Sequence, residues 1–317
     1  MNLDIEESYI QSDITRETRL PQEGVIGLDN TVVFIGSARF SGSTLLDLML
    51  GNGEGCFSTG EVKAYFRPMK RSHLSIDCSC GNPECSIWKE AKKKGEKELY
   101  DYLCESHNNH TIIDSSKNID WIKDQKSYTE NRFDQKFVLV YKHPLNYLFS
   151  NYKRGYPINS YRGMIGRLEV LLKNGEVTDI ERWSRYYKRF ISCFDCIPVS
   201  FEDLTRRPGE TLRTLCKETG IKYFEGKENF WEKQHHILYG NNSTRIHLYE
   251  MDDELYKKHL SIRNRKKNNK IKEDIKGYRT IYYSDKWRQE LPEKYRELVT
   301  EEAFAVYEEL ESIRMGG

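Results

Sequence analysis

Residues 31–51 constrain this chain more than any other stretch. Thr31, Val32, Val33, Phe34 and Ile35 make a short β-branched and aromatic run. A loop follows from Gly36 through Ser37, Ala38, Arg39, Phe40 and Ser41 to Gly42, and then Ser43 and Thr44 open an apolar segment that ends at Gly51. The spacing predicts strand, phosphate loop, helix. Backbone N–H groups from Ser41 to Thr44 and the Ser43 and Thr44 hydroxyls would turn toward an anion at the helix N-terminus. Ser43 stands where a nucleoside-triphosphate loop of the Walker type carries lysine. The loop therefore suits a phosphorylated nucleotide better than it suits ATP cleavage.

Four further apolar runs read as strands: 55–58, 111–114, 136–141 and 197–201. The stretches between them are mostly long enough for crossover helices. That pattern predicts an α/β fold with a P-loop-like central parallel β-sheet flanked by helices on both faces. Helices are expected over 161–193 and 286–314, the latter from Trp287, Leu291, Tyr295, Leu298, Ala303, Val306 and Leu310. Residues 1–29 read as a polar arm and 30–317 as a single domain. The basic, asparagine-rich run 263–270 reads as a loop, either solvated or in contact with a polyanion.

Lys and Arg number 50 against 49 Asp and Glu, so no global field marks a nucleic-acid coat and no nucleic-acid partner is expected. The first residues lack a signal-peptide pattern, and no apolar run reaches the ~18 residues of a membrane span. A cytoplasmic protein is expected. The oligomeric state is not legible.

A second anchor sharpens the reading. The run Phe137, Val138, Leu139, Val140, Tyr141 delivers Lys142 at a strand's C-terminal end, where open parallel sheets bind ligands. Pro144 suits the first turn of a helix, and Ser150 follows about two turns later. One strand–loop–helix unit for each of two phosphates describes a nucleotide such as a 3′,5′-bisphosphate.

With these residues the chain resembles the sulfotransferases that use 3′-phosphoadenosine 5′-phosphosulfate (PAPS), of the bacterial and carbohydrate type. In that family an Arg-Ser-Gly-Thr-Thr-like loop holds the 5′-phosphosulfate, and an Arg-Asp-Pro with a serine eight residues after its arginine holds the 3′-phosphate. Here the matching residues are Arg39, Ser41, Gly42, Ser43 and Thr44, then Lys142-His143-Pro144 with Ser150. Phe40 takes the loop's basic slot, and Lys142 offers a point charge in place of an arginine fork. Asp114-Ser115-Ser116-Lys117, Phe201-Glu202-Asp203-Leu204 with Pro208, the residues His236, Gly240, Asn241 and Arg245, and Asp285-Lys286-Trp287 resemble further family elements.

The resemblance implies transfer of a sulfuryl group from PAPS to a hydroxyl of a glycan, lipid or small natural product. PAP is the product, and no metal is required. Glu61 in Ser58-Thr59-Gly60-Glu61 is similar in place to the general base of protein-tyrosine sulfotransferases, and burial would raise its pKa toward a useful range; a helix-capping role is the alternative. Lys117 would offset charge on the bridging oxygen as PAP leaves, and Arg245 resembles an arginine near the nucleotide. His143 reads as a neighbour of the 3′-phosphate or a structural residue, and His235 and His236 as packing or substrate contacts. Tyr65, Arg67, Lys70 and Arg71 suit an anionic or sugar acceptor or a solvated helix face.

The run Cys78-Ser79-Cys80-Gly81-Asn82-Pro83-Glu84-Cys85 leaves three readings open: zinc with His73 or Cys56 as fourth ligand, a disulfide, or free thiols. A P-loop kinase or NTPase and a non-catalytic PAP-binding module remain the competing functions.

Overall fold

The computed structural model describes residues 28–154, 178–265 and 278–315. The expected arm, except for its last two residues, and the expected helix before residue 178 lie outside them. Strands β1 (Thr31–Ser37), β2 (Cys56–Gly60), β3 (Thr111–Asp114), β4 (Asp134–Tyr141) and β5 (Ile197–Ser200) form one sheet in the order β2-β3-β1-β4-β5. Every pairing is parallel, with Thr31 of β1 opposite both Thr111 and Asp134.

The sheet is covered on both faces, as a continuous apolar strand such as β1 requires. Side chains alternate along it. Val32 and Phe34 face one core with Phe137, Leu139 and Tyr141, against helices α2 (Ser86–Lys94), α3 (Leu99–His107), α4 (Ile119–Thr129) and α6 (Asp179–Cys193). Val33 and Ile35 face the other with Val138, Val140 and Val199, against α1 (Ser43–Gly51) and α7 (Pro208–Thr219). Trp88, Trp121 and Trp183 are fully buried in the first core. Helix α5 (Pro144–Tyr152) follows β4, and Pro144 occupies its first turn. The expected α/β class is the observed one.

The expected helix over 286–314 is three pieces: Trp287–Glu290, Glu293–Arg296 and α8 (Glu301–Ser312). Pro292 is the first cause. It has no N–H to continue the first piece, and Leu291 before it is extended. Thr300 is the second, since its side chain accepts from Ala303 N and starts α8 anew. The apolar spacing survives the breaks, and Trp287, Leu291, Tyr295, Ala303, Val306 and Leu310 are all buried. The basic run does not begin as a loop, because the helix Glu254–Arg265 extends through its first residues.

Candidate functional site

The C-terminal ends of the five strands converge on one cavity of 540 Å³. The loop after β1 brings Gly42, Ser43 and Thr44 to it; β2 leads to Glu61, β3 to Lys117, β4 to Lys142 and β5 to Phe201. A larger cavity of 730 Å³ lies at the opposite, N-terminal ends of β2 and β3. Its most buried cation, Lys233, already donates to the carbonyls of Gly51, Gly53 and Cys56. The smaller cavity is the one with convergent charge.

Gly42 makes the turn into α1 possible. Its φ is +100°, and a Cβ there would sit 2.5 Å from the Phe201 ring. Only glycine combines that backbone with that approach. Helix α1 starts next, so its free N–H groups and the Ser43 and Thr44 side chains face the cavity. Thr44 Oγ1 also accepts from Asn241 N at 3.1 Å, which draws residues 240–244 over the helix start. Ser41 lies deeper. It is buried, its hydroxyl lies 3.5 Å from that of Tyr187, and it is not among the residues lining the cavity.

Two tyrosines of α6 stitch the loop in place. Ser37 N donates to the Tyr186 hydroxyl (3.0 Å) and Ala38 N to the Tyr187 hydroxyl (3.2 Å). The hydroxyls donate onward, Tyr186 to Lys117 O at 2.8 Å and Tyr187 to Val140 O at 2.9 Å. Arg39 lines the cavity while pairing with Asp179, the first residue of α6, at 2.5 Å. Phe40 adopts a left-handed backbone with φ of 63°, and the Arg154 guanidinium lies 4.2 Å from its ring centre. A cation thus stands beside the slot that Phe40 occupies.

Lys142 and Ser150 meet as their spacing predicts, with Nζ 3.3 Å from Oγ. The amine is buried and sits 3.6 Å from the centre of the Phe201 ring. Burial pushes its pKa down to about 7, with Arg154 adding to the shift and Glu202 opposing it. Among the described residues no carboxylate forms an ion pair with it. Glu202 instead accepts from His143 N and from Asn146 Nδ2 at 2.7 Å, ordering the start of α5.

Across the cavity, Lys117 Nζ meets Glu61 Oε1 at 2.5 Å. Lys117 is another left-handed residue, with φ of 62°. Such backbone costs free energy and persists where its surroundings impose it. Here the Tyr186 hydroxyl on its carbonyl does so, together with Asp114, which accepts from Ser116 N at 2.7 Å. The expected rise in the Glu61 pKa is not what the site produces. Burial does push it up, but the charge and hydrogen bond of Lys117, with Lys70 and His73, outweigh it and hold the carboxyl below its ordinary value. The pair also forms the wall of a second cavity of 280 Å³, lined by Lys63, Met69, His73, Ser116 and Asn118.

Arg245 does not reach either cavity. It is buried and bound to Asp77 through both terminal nitrogens, at 2.9 and 3.3 Å. A short helix, Asn242–Arg245, turns it inward while Asn241–Thr244 line the cavity. Arg67, weighed as an acceptor contact, is held by Glu96 and Asp124. His143 is structural: it accepts from Leu145 N at the start of α5, stacks 4.7 Å from Trp287, and burial pushes its pKa down to about 4. His235 is packed in the core against Phe230 O.

None of the eight cysteines is in a disulfide, so none closes the Cys78–Cys85 run. The residue beside Cys78, Cys80 and Cys85 is His236, not His73 or Cys56. Sequence reasoning also missed Asn146, Phe149, Lys153, Arg154 and Tyr282 on the cavity wall. For Asn146, Phe149 and Lys153 a signal existed, since they share α5 and its C-cap with Ser150.

A solved sulfotransferase domain shares this fold. The sulfotransferase domain from the curacin biosynthetic pathway superposes with a TM-score of 0.50 at 16% identity, over 89% of this chain and 98% of that one. The sulfotransferase domain of the Synechococcus PCC 7002 olefin synthase gives 0.46 at 18%, over 80% and 94%. The chain matches no protein-family model and no curated protein in sequence. No helix among the described residues is long and apolar enough to cross a membrane.

Proposed function

We propose that this chain transfers the sulfuryl group of PAPS to a hydroxyl of a glycan, lipid or small natural product. One observation carries the reading. Lys142, a buried amine that pairs with no carboxylate among the described residues and lies 3.3 Å from Ser150, opens into the same cavity as the start of α1 and the Glu61–Lys117 pair. Two groups suited to anions and a carboxylate thus line one cleft, which supports a 3′,5′-bisphosphonucleoside with a group to transfer as the ligand.

Lys142, backed by the Phe201 face, and Ser150 would hold the 3′-phosphate. Ser43, Thr44 and the N–H groups opening α1 would hold the 5′-phosphosulfate, with Arg39 and Arg154 nearby. When bound, PAPS supplies a sulfuryl group on a good leaving group: its sulfur–oxygen bond to phosphate breaks as one to the acceptor oxygen forms. Glu61, ionised beside Lys117, takes the acceptor's hydroxyl proton. Lys117 offsets the negative charge left on the bridging oxygen. The second cavity, on the far side of the pair, would seat the acceptor.

Thermal unfolding in the presence of PAP or of ATP with Mg²⁺ tests the reading. PAP at about 100 times its dissociation constant adds roughly 2.7 kcal/mol, enough for a clear rise in Tm, and ATP with Mg²⁺ should give little. A rise with ATP and none with PAP would overturn it. Binding of PAP without transfer from PAPS across an acceptor panel would leave a binding module instead.

A further inference from the structure

We propose that Cys78, Cys80, Cys85 and His236 form a structural zinc(II) site beside the catalytic cleft. The four donor atoms lie within 4.8 Å of one another. His236 Nδ1 is 3.7 Å from Cys78 Sγ and 3.6 Å from Cys85 Sγ. Zinc bonds of about 2.3 Å to sulfur and about 2.0–2.1 Å to nitrogen, set at tetrahedral angles, place such atoms about 3.6 Å apart. The observed edges fit that length. A thiol–imidazole hydrogen bond alone would not gather a third cysteine around the same ring.

The chain is built to hold this geometry. Gly81, with φ of +80°, turns the loop between Cys80 and Cys85, and its N–H donates to Cys78 O at 3.0 Å. Cys85 stands at the N-terminus of α2, whose Trp88 donates Nε1–H to His236 O at 2.7 Å. Ser79 ties the two segments a second time, by Ser79 N to Ile237 O at 2.9 Å and Ser79 Oγ to His235 O at 2.6 Å. Three cysteines and a histidine fill all four tetrahedral positions, so the ion has no open position for substrate and its role is structural.

Its placement says what it would hold. Leu238 lies between Cys78, which it pairs antiparallel, and Gly60, which it pairs parallel. Leu238 O accepts from Glu61 N at 2.9 Å, and two residues on, Gly240 opens the segment that covers α1. The ion would therefore clamp the 78–85 loop to the strand-like piece that carries the Glu61 backbone on one side and residues 240–244 on the other. A cross-link between positions so distant in sequence removes much freedom from the unfolded chain.

The site does not rest on the sulfotransferase reading, and metal content is independent of PAP binding. The full chain, purified without a metal-binding tag, is analysed by elemental mass spectrometry and then exchanged with Co²⁺. The expected result is one zinc per chain, resistant to dialysis against EDTA. The cobalt form should show the intense visible bands of a tetrahedral ion and a thiolate charge-transfer band. Cys80→Ser and His236→Ala should each lower bound zinc at least tenfold, while Cys193→Ser, outside the cluster, keeps it. Absence of zinc after reconstitution with ZnSO₄, a cobalt spectrum without thiolate bands, or full zinc content in Cys80→Ser would each overturn the proposal. The cobalt spectrum is read on the unmutated chain, so a variant that fails to fold does not blunt the test.

Discussion

At the scale of single residues, the site is governed by two charges, one that its surroundings support and one that they oppose. Glu61 is held ionised by Lys117, which suits a base but also ties it up until a ligand draws Lys117 away. Glu61→Gln should lower the turnover number by about 10²–10⁴-fold while leaving the PAP dissociation constant within about twofold, read by transfer kinetics and calorimetry. Lys142 is the opposite case, a cation whose pKa burial has pushed from 10.5 to about 7. A bound phosphate favours the ammonium, so binding above pH 7 takes up a proton. A phosphate monoester is fully ionised there, its second pKa being about 6. PAP affinity should thus fall by up to about tenfold per pH unit above 7, and Lys142→Met should bind weakly with a flat profile. The ligand-free fold shows the reverse sign. The unfolded chain binds more protons at Lys142 between pH 7 and 10.5, so this residue's contribution to stability improves as pH rises through that window.

At the scale of elements, helix α6 does more than cover the sheet. Its Tyr186 hydroxyl joins the strand β1 end to the Lys117 carbonyl, with Ser37 N at 3.0 Å on one side and Lys117 O at 2.8 Å on the other. Tyr186→Phe removes both bonds and leaves two polar groups without them. The expected cost is about 1–3 kcal/mol in urea unfolding, with a fall in transfer rate because Lys117 is no longer held in its left-handed turn. The helix fell within the one expected over 161–193, but its hydroxyl contacts were not legible. They span 149 residues of chain between Tyr186 and Ser37, and no local spacing encodes them. The break at Pro292 shows a different limit. Three-to-five spacing persists across two kinks, so periodicity alone read one helix where proline chemistry makes three.

At the scale of the whole molecule, five parallel strands each end in one group of a single cleft, and the Glu61–Lys117 pair divides that cleft from a second cavity. This division predicts separable effects. His73 lines only the second cavity. His73→Ala should raise the acceptor KM by about tenfold, the worth of one hydrogen bond of ~1.4 kcal/mol, with the PAP dissociation constant unchanged. Steady-state kinetics with varied acceptor, set beside PAP calorimetry, separates the two.

The sequence by itself determined the sheet, the glycine-hydroxyl loop before α1, the meeting of Lys142 with Ser150 and the place of Glu61 after β2, because each follows from local chemistry. A buried strand announces itself by continuous apolar residues, a phosphate loop by glycine and hydroxyls before a helix, and Lys142 with Ser150 by a fixed helical spacing. Only the tertiary structure decided which cations face the cleft. Arg245 turned to Asp77 and Arg154 arrived over Phe40, since a long side chain goes where a distant carboxylate or ring compensates its charge. It also decided that His236, 151 residues after Cys85, completes the cysteine cluster. Close approach of remote segments is a property of the packed chain, and no spacing within either segment records it.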